Sequence, residues 1–372
     1  MGEGREHCSA PGPHPSGACS APPTRHHILD CVSLADTIRQ GVLDALTDFS
    51  VPGAAEEGRV GAELKRFAAL LRDYPERQGK TLRGQLLVLA ARAHGAHDEN
   101  SALLLAEALE LFQDWVLVHD DIEDGSEERR GGPALHRQVG MGVALNVGDA
   151  MHMLMWRHLA RLDERPPLDR RLALAEFTRM LLATAAGQHL DLAWVEAGRF
   201  DVSEAEYLRM VTLKTAYYTV ASPLTLGAAC AGAVPPSGLE EHAIDLGVAF
   251  QIRDDVLNLG AAPAYGKEHA GDLYEGKRTL ILAHFLRTAP SERRERVVAL
   301  LARPRAEKTR SEMAEVLTAL VEAGSVAYAQ AVAEERSAAG LAGISAWLRT
   351  LPDQGAARAI EELLAGLTAR AA

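Results

Sequence analysis

The chain has 372 residues, of which 47% are hydrophobic and 5% aromatic, and its formal net charge is −12. That charge excludes a nucleic-acid surface, which needs a concentrated basic face, and no run of about 18 apolar residues suggests a membrane span. Cys8, Cys19, Cys31 and Cys230 are too few and too unevenly spaced for a disulfide scaffold, which fits a reducing cytoplasm.

Residues 1–27 are rich in Pro, Gly, Ser and His, lack the apolar centre of a secretory signal, and read as a disordered tail. The spacing of His7, Cys8, His14, Cys19, His26, His27 and Cys31 matches no compact zinc pattern. Glu6 stands where a myristoylation motif at Gly2 needs Ser or Thr. From Leu29 onward helical periodicity runs with interruptions to the C-terminus. Long Ala/Leu/Glu/Arg stretches and the scarcity of alternating β-branched runs predict an all-α fold without a strand, as one domain over 28–372. The expected turns are Val51-Pro52-Gly53, Gly95-Ala96-His97-Asp98, Gly131-Gly132-Pro133, Arg165-Pro166-Pro167 and Val234-Pro235-Pro236-Ser237-Gly238.

Two acidic clusters interrupt this apolar sequence, Asp120-Asp121-Ile122-Glu123-Asp124 and Asp254-Asp255-Val256-Leu257-Asn258. On a helix, positions i and i+4 share a face, so Asp120 and Asp124 point one way, as do Asp254 and Asn258. A lone DDxxD is as often a solvated face as a site. Here Leu109, Leu111, Phe112, Trp115, Val116, Leu117 and Val118 precede the first cluster, and Leu246, Val248, Ala249, Phe250 and Ile252 the second. Both clusters therefore belong to largely buried helices, where like charges need a partner. Hard oxygen ligands of this kind suit Mg2+ held jointly by carboxylates and substrate phosphates.

Cations answer them along the chain. Gly79-Lys80-Thr81-Leu82-Arg83 precedes the first cluster and Arg129-Arg130-Gly131-Gly132-Pro133-Ala134-Leu135-His136 follows it. Lys214-Thr215 lies on a helix between the clusters. The loop Gly260 to Gly276 with the following Lys277 carries Lys267 and Asp272, and is placed to close over a ligand. Singly each is ordinary surface charge; in this order they could hold two diphosphates. Beyond Pro290 the chain is Ala- and Arg-rich helix without a chemical signature.

In these segments (GK-x-x-R, DDxxD, RRG-x-P-x-x-H, GQ-x-x-D, KT, FQ-x-x-DD and GK-x-x-x-x-D-x-x-x-GK-x-T, in order from about Gly79 to Thr279) the chain resembles the trans-prenyl diphosphate synthases, the farnesyl and geranylgeranyl diphosphate synthases among them. The resemblance implies an isoprenoid synthase fold of helices around a deep cavity, and a homodimer. It implies Mg2+ on Asp120, Asp124 and Asp254, supported by Asp121 and Asp255. An allylic diphosphate would meet Arg129, Lys214, Lys267 and Lys277, and isopentenyl diphosphate would meet Lys80, Arg83, Gln113 and Arg130. Gln188 and Asp191 would complete the wall, while Lys214, Thr215 and Gln251 steady a carbocation through oxygen dipoles.

Three departures stand out. Asn258 replaces a frequent third Asp, Gln78 the first Gly of GGK, and Gly84 a common Pro. Trp115 lies five residues before Asp120, more than a turn deeper on the helix, where an indole would block a long tail; Val116 beside it is small, so the plug is partial. The expected product has twenty carbons, with fifteen next. Asp114 is unexplained beside an apolar channel. A class I terpene cyclase would not need Lys80, Arg83 and Arg130, and a non-catalytic subunit of a heteromeric synthase would commonly have lost one acidic motif.

Overall fold

Apart from Met1, the residues described in this computed structural model are 33–47, 57–77, 79–96, 99–163, 167–260 and 269–368. The tail 1–27, Gln78, Lys267, Val51-Pro52-Gly53 and Arg165-Pro166 lie outside them. Helix-forming residues do what their propensities dictate: α1 (Leu34–Thr47), α2 (Gly58–Glu76) and α3 (Leu82–Ala93) lead into the central α4 (Asn100–Glu123). Nearly every side chain of α4 from Ala102 to Asp114 is buried, so the helix lies within the protein rather than on it. After α6 (Met141–Leu159) and α7 (Arg170–Glu196) the chain runs α8 (Glu204–Val211), a π-helical stretch Thr212–Ala221 and α9 (Ser222–Cys230), then α10 (Leu239–Leu259).

The C-terminal part comprises α11 (Gly271–Glu275), α12 (Leu280–Thr288), α13 (Ser291–Leu301), α14 (Arg310–Glu322), α15 (Ser325–Leu348) and α16 (Gln354–Thr368). Its apolar faces pack behind α8 and α10, through Val248, Ile252, Phe285 and Leu320 among others. No single described helix is long and apolar enough to cross a membrane. Only α14 and α15 together meet that length and composition, and they bend by 60° between them.

One small strand pair departs from the all-helical expectation. Glu128–Arg129 (β1) and Gly132–Pro133 (β2) pair antiparallel just after α4, with α5 (Leu135–Val139) following. Arg130 and Gly131 both have positive φ, 50° and 73°, the geometry of a two-residue turn that reverses the chain within a hairpin. Such short strands carry no alternation for a sequence reading to detect.

The π-helical stretch is wedged between α7 and α10. A Cβ on Gly187 would lie 2.2 Å from the Lys214 backbone nitrogen, and one on Gly247 would lie 2.5 Å from Ala216 Cα. Two glycines on opposite sides thus let the backbone around Lys214 and Thr215 approach both neighbours. The wider π coil alters which way side chains leave the helix, as is frequent at functional positions.

The buried acids of α4 are all engaged. Glu107 meets His158 at 2.9 Å, Glu110 accepts the Gly84 N–H at 2.8 Å, and Asp114 pairs with Arg130 at 2.9 Å. The last contact accounts for Asp114, which orients a cation.

Candidate active site at the mouth of the helical body

The first acidic cluster ends α4 and divides by depth. Asp121 is fully buried; it accepts a hydrogen bond from the Tyr74 hydroxyl and is forked by the Arg129 guanidinium. Arg129 also reaches Asp120 at 3.3 Å. Asp120 in turn accepts from Gln188 at 3.2 Å and faces the Lys214 ammonium at 3.5 Å. Asp124 is paired with Lys277 at 2.6 Å. Burial pushes its carboxyl up to about 7 against the pull of Lys277, with Asp120 adding to the rise.

The second cluster ends α10 with the same split. Asp255 is buried, accepting from Tyr207 at 2.7 Å and from Gln251 at 2.9 Å. Burial pushes it up to about 6 against these two hydrogen bonds. Gln251 also accepts from the Thr215 hydroxyl at 2.9 Å. The Asn258 side-chain oxygen accepts the Asp272 N–H at 3.1 Å and its backbone oxygen the Ala270 N–H at 2.8 Å. It therefore fastens the start of α11. That helix brings Asp272 and Glu275 beside Asp120, Asp124 and Lys277.

Two buried ammoniums lie among these carboxylates. Burial works against the charge of Lys214, but Asp191 at 2.6 Å and Asp120 outweigh it and raise its pKa. Burial is likewise outweighed at Lys277 by Asp124 and Glu275. A cavity of about 380 Å³ has Asp120, Asp254, Lys214 and Lys277 at one end and Lys80, Arg83 and Arg130 at another, and Gln113, Thr215, Gln188 and Gln251 also line it. Gln113 is buried and its Oε1 has no hydrogen-bond partner among the described residues. Arg83 lies over the Tyr218 ring and donates to Thr219 at 3.2 Å. Glu110 and Asp114, beneath this end, keep Arg83 and Arg130 together despite their like charge.

Sequence reasoning and structure part at several positions. Both oxygens of Asp121 accept hydrogen bonds from Arg129 or Tyr74, so in this arrangement it orients Arg129. Arg129 borders the cavity, with its Nε and Nη2 directed at Asp121 and Asp120. Asp255 is held inward in the same way. Val116 lines the cavity; Trp115 does not, and lines an adjoining one instead. Lys267 lies outside the described residues. Tyr74 and Tyr207 escaped the sequence analysis altogether, being 47 and 48 positions from the carboxylates they meet.

Comparison with known proteins decides the family. Residues 64–320 match the polyprenyl synthetase family. The chain belongs to that family. A short chain isoprenyl diphosphate synthase of Methanothermobacter thermautotrophicus is 33% identical over 68% of this chain and 76% of its own. A geranylgeranyl diphosphate synthase of Methanosarcina mazei is 32% identical over 81% of this chain and 88% of its own. The structure of a geranylgeranyl pyrophosphate synthase of Corynebacterium glutamicum, solved with isoprenyl diphosphate and magnesium, overlays with a TM-score of 0.76 at 27% identity, covering 90% of this chain and 99% of that one. The polyprenyl synthetase member described here is accordingly a prenyltransferase that elongates trans-prenyl diphosphates, built on the all-α fold of its relatives.

Proposed function

We propose that the enzyme condenses isopentenyl diphosphate with an allylic diphosphate in the presence of Mg2+, giving a product of twenty carbons, with fifteen next. The observation that carries this reading is the single cavity with carboxylates and ammoniums at one end and an independent set of cations, Lys80, Arg83 and Arg130, at the other. Two diphosphates need two such ends. A cyclase has one diphosphate, and nothing for the second set to hold.

The donors suit a hard divalent cation that arrives with its phosphate. Asp120, Asp124 and Asp254 would hold it, and the two ammoniums drawn in among these carboxylates answer their negative charge. When bound, the metal would supply charge stabilisation to a departing diphosphate. Lys214 and Lys277 add fixed positive charge at the same end. As the allylic C–O bond breaks, the Thr215 and Gln251 oxygens and the Lys214 carbonyl offer dipoles to the developing cation. The double bond of isopentenyl diphosphate, held by Lys80, Arg83, Gln113 and Arg130, forms the new C–C bond, and the released diphosphate takes the proton lost from it. The apolar cavity beyond Val116 keeps water from the cation.

A homodimer would cover the apolar side chains exposed along α6 and α7, among them Met141, Met153 and Leu182, each 64–67% accessible.

Purified protein incubated with Mg2+, labelled isopentenyl diphosphate and, in turn, dimethylallyl, geranyl or farnesyl diphosphate tests the reading. Label is expected in a discrete prenol of mainly twenty carbons. Hydrocarbon released from the allylic substrate alone, without incorporation, would overturn it in favour of cyclisation.

A further inference from the structure

A growing prenyl chain is hydrocarbon, so it must leave the charged end of the main cavity through apolar wall. One exit is visible. A second cavity, of about 310 Å³, shares Val116, Thr184 and Gln188 with the first and continues between α4 and α7 past Phe112, Leu181 and Ala185. Trp115 stands in its wall, on the side where α4 meets α6.

Ring contacts, with no polar anchor, hold that indole against the core. Its Nε1–H is buried without a hydrogen-bond partner among the described residues, a loss that would ordinarily be avoided. Phe112 meets it edge-on at 5.6 Å and His119 at 6.0 Å. On α6, the His152 imidazole lies flat against it, ring centres 4.1 Å apart and planes within 9°. His152 is itself oriented, since its Nε2 accepts from Trp156 Nε1 at 2.9 Å. That acceptor role requires the ring nitrogen to be unprotonated, and burial lowers the pKa of His152 accordingly. Gly148, one turn before, leaves room for the arrangement: a Cβ there would lie 2.3 Å from His119 Nε2.

We propose that His152 is a positioning residue for product length, holding the Trp115 indole in the wall of the apolar cavity by stacking on its outer face. Removing the imidazole takes away the ring on which the indole is stacked, and an indole displaced towards α6 would lengthen the hydrocarbon path. The proposal rests on the elongation activity and on Trp115 bounding the product, and it adds a residue that never touches the chain.

The test uses the full-length protein with Mg2+, isopentenyl diphosphate and farnesyl diphosphate, and reads the prenol distribution, the KM for isopentenyl diphosphate and the melting temperature. Trp115→Ala is expected to lengthen the main product most. His152→Ala should shift it the same way by at least one C5 unit, with an unchanged KM for isopentenyl diphosphate, which binds among Lys80, Arg83 and Arg130. His152→Phe restores a ring without the acceptor and should restore the wild-type product. His152→Gln keeps an acceptor without the ring and should behave as His152→Ala, which also covers the case that the alanine variant folds poorly. The double variant should go no further than Trp115→Ala alone. A normal product from His152→Ala or His152→Gln beside a lengthened one from Trp115→Ala overturns the role of His152 only. Unchanged products in all variants overturn Trp115 as the boundary as well.

Discussion

The two acidic clusters look alike in sequence and are locked differently in space. Each sits at the C-terminal end of a buried helix, and each hides its second aspartate beneath a tyrosine hydroxyl, Tyr74 for Asp121 and Tyr207 for Asp255. At the first cluster the lock is ionic, because the Arg129 fork neutralises Asp121 at its own site. At the second the direct partners are neutral: Gln251 and Tyr207, with a smaller pull from Lys277, do not offset burial, and Asp255 is pushed up to about 6. The fourth residue beyond each leading aspartate differs too. Asp124 pairs with Lys277, whereas Asn258 accepts the Asp272 N–H and fastens α11. The first cluster is thus a fixed platform, while the second is tied to the segment that delivers Asp272, Glu275 and Lys277.

This contrast can be broken from either side. The largest effect should come from the outward-facing members: Asp120→Asn is expected to lower kcat by about 10²–10³-fold, the usual scale for losing one charge-stabilising group, measured by incorporation of labelled isopentenyl diphosphate. A loss below tenfold would remove Asp120 from the reacting end. Next in size, Arg129→Ala leaves Asp121 buried without its cation and should destabilise the fold by about 3–5 kcal/mol. Tyr207→Phe removes one neutral hydrogen bond from Asp255 and should cost only about 1–3 kcal/mol. Denaturant titrations of the two proteins compare them directly, and equal losses would erase the distinction between ionic and neutral locks.

The smallest effect is a pH dependence. Asp124 and Asp255 have folded-state pKa values raised to about 7 and about 6, above those of the unfolded chain. The unfolded chain therefore loses these protons first, and the metal-free fold loses stability as pH rises through this window. A divalent cation reverses the preference by favouring the ionised forms. Magnesium should accordingly raise the melting temperature more at pH 8 than at pH 6, and a scan showing equal shifts at both would count against Asp124 as a ligand.

The sequence by itself determined the helical class, through propensity and 3.6-residue periodicity, and it determined which residue types the site contains, because DDxxD, GK-x-x-R, KT and FQ-x-x-DD are local patterns whose spacing puts carboxylates on one helix face. It could not supply contacts between residues far apart in the chain. Tertiary packing alone brings Arg129 to Asp121, Asp114 to Arg130, Asn258 to the start of α11, and Trp115 against His152 beside the main cavity. The short hairpin after α4 and the π-helical turn under Lys214 and Thr215 arose the same way, from packing against neighbours that no local window contains. The physical reason is that a helix fixes which way each side chain points relative to its own axis, while what it meets there depends on how the other helices pack around it.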